Sequence, residues 1–106
     1  MKELALTLED TQWEKTEITH DRHVARAIVV DEEGFFYFVR VCRDDIFGNG
    51  AFIETAGGGV EVGETPEEAI HRELKEELGA NVEVLCKIGT VSDYYNQIHR
   101  HNVNHY

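Results

Sequence analysis

The chain has 106 residues, 42% of them hydrophobic, and its 21 Asp and Glu against 10 Lys and Arg leave a net charge of −11. That length supports one core and no second domain. The acidic balance excludes a nucleic-acid backbone or an anionic membrane as the main partner, yet admits a phosphorylated ligand whose charge is met by metal ions. Two cysteines, Cys42 and Cys86, are too few for a disulfide framework and lack the spacing of a zinc site. No apolar run approaches a membrane span and the start Met1-Lys2-Glu3 is not a signal peptide, so a cytoplasmic protein is expected.

Residues 1–22 are polar and weakly patterned and read as an N-terminal arm with at most one short strand. From Val24 to Val30 runs a β-rich apolar stretch, closed by the turn residues Asp31-Glu32-Glu33-Gly34. Phe35 to Cys42 follows as a second such run, so the two predict a hairpin. Asp44 to Gly50 reads as a loop, and Ala51-Phe52-Ile53-Glu54 as a short third strand. Thr55-Ala56-Gly57-Gly58-Gly59 is a stretch favoured where backbone approaches another group closely.

The clearest helix comes next. Thr65 is its N-cap, Pro66 (the only proline) its first residue, and Glu68 completes a Thr-x-x-Glu capping box. Ile70, Leu74 and Leu78 make the buried stripe, and Gly79 ends the helix. Val82 to Ile88 alternates partly like a strand, and Ile98 to Tyr106 reads as the start of another. The class is mixed α and β.

That helix also carries acid. At about 100° per residue, Glu73, Glu76 and Glu77 fall within an arc of roughly 100°, where they repel one another. A solvated acidic face is the bland reading. Against it stand the position of Glu76 and Glu77 near the helix C-terminus, where the dipole disfavours negative charge, and the glycine-rich loop upstream. Clustered carboxylates are hard oxygen ligands suited to Mg²⁺ or Mn²⁺.

Gly58, five residues, Glu64, seven residues, then Arg72-Glu73-Leu74-Lys75-Glu76-Glu77-Leu78-Gly79-Ala80 resembles the signature of the Nudix hydrolases, G-x5-E-x7-R-E-U-x-E-E-x-G-U, with U a bulky aliphatic. Every polar and glycine position of this box, residues 58–80, is filled; Ala80 is smaller than the usual final aliphatic. Upstream, Glu54-Thr55-Ala56-Gly57-Gly58 is similar to the family's E-L-P-G-G approach.

The resemblance implies an α+β fold of the α/β/α sandwich type, a single domain over residues 1–106 with its loop and helix at 57–80. It implies a MutT-like pyrophosphohydrolase that cleaves the diphosphate of a nucleoside diphosphate linked to another moiety, using Mg²⁺ or Mn²⁺. By the same resemblance Glu73, Glu76 and Glu77 are the metal ligands, joined by the carbonyl of Gly57. Arg72 holds Glu73, and Glu64 supports the site. The general base is either a box glutamate or an acid on a later loop; after Glu83 only Asp93 is acidic. Family members usually continue with a further strand and a second helix on the other sheet face. Because this chain stops at Tyr106, the expectation is a domain lacking that helix, prone to homodimer formation or strand exchange, with metal binding retained and weak turnover. The rival reading from another class is a nucleotide-binding or regulatory module.

Substrate residues are less marked. Tyr94 and Tyr95 lie near a family tyrosine associated with dinucleoside polyphosphates, and either ring, or that of Phe47, is a candidate to stack on a base. No proline follows Pro66, so the mark associated with ADP-ribose is missing. His99, His101 and His105 would share a strand face, as a metal, base or phosphate-contacting group or simply as a polar end. His20, His23 and His71 carry no pattern and are expected on the surface. Residues 54–77 hold eight glutamates against Arg72 and Lys75, which gathers −6 of the −11 at the proposed metal site.

Overall fold

The computed structural model describes residues 3–45 and 48–106. Among these, five strands form a mixed sheet: β1 (Leu4–Leu8), β8 (Gly89–Tyr95), β9 (Arg100–His105), β2 (His20–Ala27) and β7 (Ala56–Gly59), in that spatial order. β1 runs parallel to β8 and β2 parallel to β9, whereas β8/β9 and β2/β7 are antiparallel. Two small antiparallel pairs complete the set, β3 (Val29–Val30) with β4 (Phe36–Tyr37), and β5 (Val39–Asp45) with β6 (Gly48–Glu54). The single helix among the described residues, α1, spans Pro66–Leu78. A mixed sheet with one helix is the α+β class that the sequence implied.

The helix ends are built as read. Thr65 accepts a hydrogen bond from the Glu68 amide at 3.1 Å, and Glu68 Oε1 accepts one from the Thr65 amide at 3.1 Å. Gly79 closes the helix in the left-handed region at φ 64°, donating its amide to the Lys75 carbonyl at 3.0 Å. The apolar stripe meets β2 and β7: Ala25, Ala56, Ala69, Ile70 and Leu74 form the buried core, with Val60, Leu78 and Val82 packed around it. Small residues on the sheet side let the helix lie close.

Several boundaries differ from the sequence reading. The run from Val24 to Val30 is divided at Ile28, because Val24–Ala27 belongs to the main sheet while Val29 and Val30 pair with Tyr37 and Phe36. The glycine stretch is a strand rather than a loop, with Arg26 opposite Gly57, Ala25 opposite Gly58 and Val24 opposite Gly59. Val82 to Ile88 forms no strand; Val82 packs on the core, Leu85 stands 78% exposed, and strand β8 begins at Gly89. The arm is also tied into the fold. Its Leu4–Leu8 is a sheet strand, His20–Arg22 already lie in β2, and Asp10 accepts hydrogen bonds from the amides of Gln12, Trp13 and Asn96.

The helix lies on one face of the sheet, over β2 and β7. On the other, Leu4, Leu6 and Leu8 are 66%, 55% and 49% exposed. Among the described residues, no helix is long and apolar enough to cross a membrane.

Candidate active site

The capped start of α1 and strand β7 converge on Arg72. Its Nε donates to Glu64 Oε2 at 2.8 Å and its Nη2 to Glu64 Oε1 at 2.9 Å, a two-pronged grip on one carboxylate. Nη2 also donates to the Gly59 carbonyl at 3.0 Å, and Nη1 to Glu73 Oε1 at 2.8 Å. Glu61 and Glu76 add looser ion pairs at 3.8 and 3.7 Å. A guanidinium presents its five N–H donors in a fixed fork, so this one side chain locks loop, strand and helix into one arrangement.

The electrostatic effect is strong on the innermost partner. Arg72 hydrogen bonding holds Glu64 down at about 2, with the Glu61 amide contribution next. Arg72 in turn is raised above its ordinary value by Glu64 and then Glu73. Glu64 and Glu73 side chains are only 14% and 17% exposed, whereas Glu76 is 60% exposed.

Glu73 lies over Gly58. A Cβ at position 58 would stand 2.5 Å from Glu73 Oε1 and 2.6 Å from its Cδ, so the missing side chain is what leaves room for this carboxylate. Glu77 reaches the same strand from the next turn and accepts the Gly57 amide proton at 3.1 Å. Gly57 needs glycine twice over: its φ is +139°, and a Cβ would run into the Ala25 carbonyl of β2.

Glu64, Arg72, Glu73, Glu76, Glu77 and Gly57 are therefore neighbours, tied through Arg72 and β7. Among the described residues no three His, Cys, Asp or Glu side chains are drawn into a single metal-binding group. Glu73 and Glu76 turn to Arg72 and Glu77 to the Gly57 amide, which relieves the mutual repulsion of like charges. The donor chemistry nonetheless fits a hard divalent cation, since it offers carboxylate and carbonyl oxygens alone.

The other candidates separate. Tyr94 and Tyr95, adjacent on β8, point to opposite sheet faces. Tyr94 stacks on His101 with centroids 4.6 Å apart and planes at 12°. Tyr95 lies under the Arg100 guanidinium, 6.0 Å from the ring centroid. Phe47 lies outside the described residues. His99 leaves the histidine set: it caps the 3₁₀ turn Asn96–Ile98 at φ 54°, with Nδ1 3.0 Å from Thr16 Oγ1. His101 Nδ1 instead meets Asp21 at 2.9 Å. His105 meets His23, ring nitrogens 2.9 Å apart and rings stacked, so His23 has a partner that no sequence pattern announced. That pairing needs the β2/β9 register, and nothing in the sequence places those strands side by side. One cavity of about 220 Å³ is lined by Asp10, Lys15, Thr16 and Tyr94, at the arm and without any of the box residues. The charged, hydrogen-bonded geometry around Arg72 is the better guide to chemistry than concavity.

Comparison with known proteins agrees with the residues. An 8-oxo-dGTP diphosphatase of Haemophilus influenzae is 41% identical over 56 residues, a stretch that spans 53% of this chain and 40% of that protein. The family model of the NUDIX domain matches residues 20–106, from the first residue of β2 through β9. A match over that much of the sheet and the whole box leaves one assignment: the chain belongs to the Nudix family.

Proposed function

We propose that this protein is a metal-dependent hydrolase that cleaves the diphosphate linkage of a nucleoside diphosphate joined to another moiety. The observation that carries the reading is the fixation of Glu73, pinned by Arg72 at 2.8 Å above a glycine that leaves it space. Preorganising one carboxylate so firmly in an acidic surface serves a site that must hold charge in place. Glu73, Glu76 and Glu77, with the Gly57 carbonyl, are the residues that would hold Mg²⁺ or Mn²⁺. Such an ion supplies positive charge against the diphosphate oxygens and makes water more acidic.

The chain's own residues do the rest. Arg72 fixes the Glu73 carboxylate, Glu64 fixes Arg72, and the Gly57 amide orients Glu77. Asp93 is held by the side-chain amides of Asn102 and Asn104, each at 2.8 Å, which favours a box glutamate for taking the proton from water. Glu76, 60% exposed and held only by a 3.7 Å ion pair to Arg72, is the freest to do so. The partner is a nucleotide-derived small molecule, in keeping with the likeness to the 8-oxo-dGTP diphosphatase of Haemophilus influenzae.

The test is a Mg²⁺-dependent screen of nucleoside triphosphates and nucleoside diphosphate conjugates with wild type and Glu77→Gln. Hydrolysis that falls about a hundredfold in the variant is expected. Activity indifferent to the substitution refutes the assignment.

A further inference from the structure

Strand β7 lies at the edge of the main sheet, hydrogen-bonded to β2, and three of its four residues are glycine. Glycine leaves the adjoining peptide planes free to turn, so the direction of the Ala56–Gly57 peptide must be set by groups outside the strand. That direction matters to the site, because the Gly57 amide donates to Glu77 Oε1 at 3.1 Å.

Three holds act on successive parts of the backbone. The Ala56 side chain is fully buried in the core shared with Ala25 and Leu74. On its C-terminal side Glu77 of α1 holds the Gly57 amide. On its N-terminal side the Thr55 carbonyl accepts a hydrogen bond from Arg26 Nη1 at 3.2 Å. Because Ala25 belongs to the core beneath α1, strand alternation sends the Arg26 side chain to the opposite face of β2. Register sets Arg26 opposite Gly57, so close that a Cβ on Gly57 would stand 2.9 Å from Arg26 Cα. Arg26 and Glu77 thus grip two consecutive peptide units, Thr55–Ala56 and Ala56–Gly57, from the two faces of the sheet. Arg43 fixes the residue before them through its 2.6 Å bond to Glu54.

Among the described residues Arg26 pairs with no carboxylate, in a chain that carries 21 Asp and Glu. A guanidinium placed on a main-chain carbonyl sets the direction of a peptide rather than balancing a charge.

We infer that Arg26 is a positioning residue of the divalent-cation site, acting through the Thr55 carbonyl to set the Ala56–Gly57 peptide against which Glu77 is placed. The inference rests on the metal-dependent reading for the cation, and on Arg26, Thr55, Gly57 and Glu77 for the positioning. A bond that merely tied β2 to the end of β6 would add stability and leave cation affinity alone.

The test compares wild type, Arg26→Met and Arg26→Lys, each shown to be folded by a cooperative urea transition. Met keeps the apolar stem and loses the donor, whereas Lys keeps a charged donor. Titration calorimetry measures Mg²⁺ binding without nucleotide, and ¹⁵N NMR in EDTA follows exchange of the Gly57 amide with solvent. Arg26→Met is expected to bind Mg²⁺ about tenfold more weakly, the usual cost of losing a group that orients a metal ligand from behind. Its Gly57 amide should exchange faster relative to the other amides of β7, and Arg26→Lys should restore both properties. Unchanged Mg²⁺ affinity in Arg26→Met overturns the inference, and so does unchanged exchange at Gly57. Arg26→Gln takes the place of Arg26→Met should the latter fail to fold. Failure of both to fold makes Arg26 a residue of the fold at large and overturns the inference as well. Hydrolysis of nucleoside diphosphate conjugates is measured apart. Mg²⁺ binding that depends on Arg26, with no conjugate hydrolysed, sustains the positioning role and removes the hydrolase reading. Hydrolysis with Mg²⁺ affinity indifferent to Arg26 does the reverse.

Discussion

Gly58 and Glu73 share one space: the carboxylate of Glu73 occupies the volume into which any side chain at position 58 would project, 2.5 Å from a Cβ there. The obstacle met by such a Cβ is the end of a side chain, which can swing aside, and not backbone. Gly58→Ala is therefore expected to cost little stability, under about 1 kcal/mol, while moving Glu73 off its 2.8 Å bond to Arg72. A misplacement on that scale lowers hydrolysis about a hundredfold. Urea unfolding alongside steady-state rates checks both halves; unchanged rates would mean that the Glu73 position is immaterial.

Gly57 makes the contrast. Its Cβ would collide with the Ala25 carbonyl in the antiparallel β2/β7 pair, and φ is +139°. Gly57→Ala should destabilise the fold by at least about 2 kcal/mol, from backbone strain and the displaced strand. The midpoint of urea unfolding reads it directly.

What the sequence disclosed follows from how far each signal reaches. Thr65, Pro66, Glu68 and Gly79 are local signals, acting within one turn, so the helix and both its ends were legible. The neighbourhood of Glu64, Arg72 and Glu73 was legible because all three ride the same loop and helix. Strand β7 was not, since glycines carry no β signal and the strand exists through its pairing with β2. The His23–His105 contact and the gathering of Arg22 with Asn102 depend on two strands about eighty residues apart lying parallel, which no local pattern encodes. His99 fell out of the strand because a left-handed turn residue precedes β9.

Leu74 tests how much this small core depends on the helix. It is 1% exposed and packs with Ile70 among alanines of β2 and β7. Leu74→Ala should cost about 2–5 kcal/mol, with the neighbouring alanines unable to fill the void. Thr65→Ala, which removes the cap bond to the Glu68 amide, should cost about 1 kcal/mol. Denaturant unfolding that ranks the two in the opposite order would contradict the packing described.

Glu64 gives stability a pH signature. Arg72 hydrogen bonding takes its pKa from 4.5 down to about 2 in the folded chain, so the unfolded state binds its proton first as pH falls. The contribution is fully present above 4.5 and is lost progressively as pH drops through about 2. Glu64→Gln should be less stable than wild type at neutral pH, and the difference should shrink across that acid window. A gap that stays constant with pH would show that the Arg72 fork does not discriminate the charged form.

Metal binding should be visible in the fold before it is visible in turnover. Glu73, Glu76 and Glu77 are gathered on one helix in the native chain, whereas in the unfolded one they are free to separate. A divalent cation that binds the native state alone stabilises it by about 2.7 kcal/mol at a hundred times its Kd. Urea unfolding with Mg²⁺ added should show that gain in wild type, and EDTA should reverse it. The variant carrying Gln at positions 73, 76 and 77 should gain nothing from Mg²⁺. A Mg²⁺ response of the same size in that variant would place the cation elsewhere in the chain and withdraw the three glutamates from the metal site.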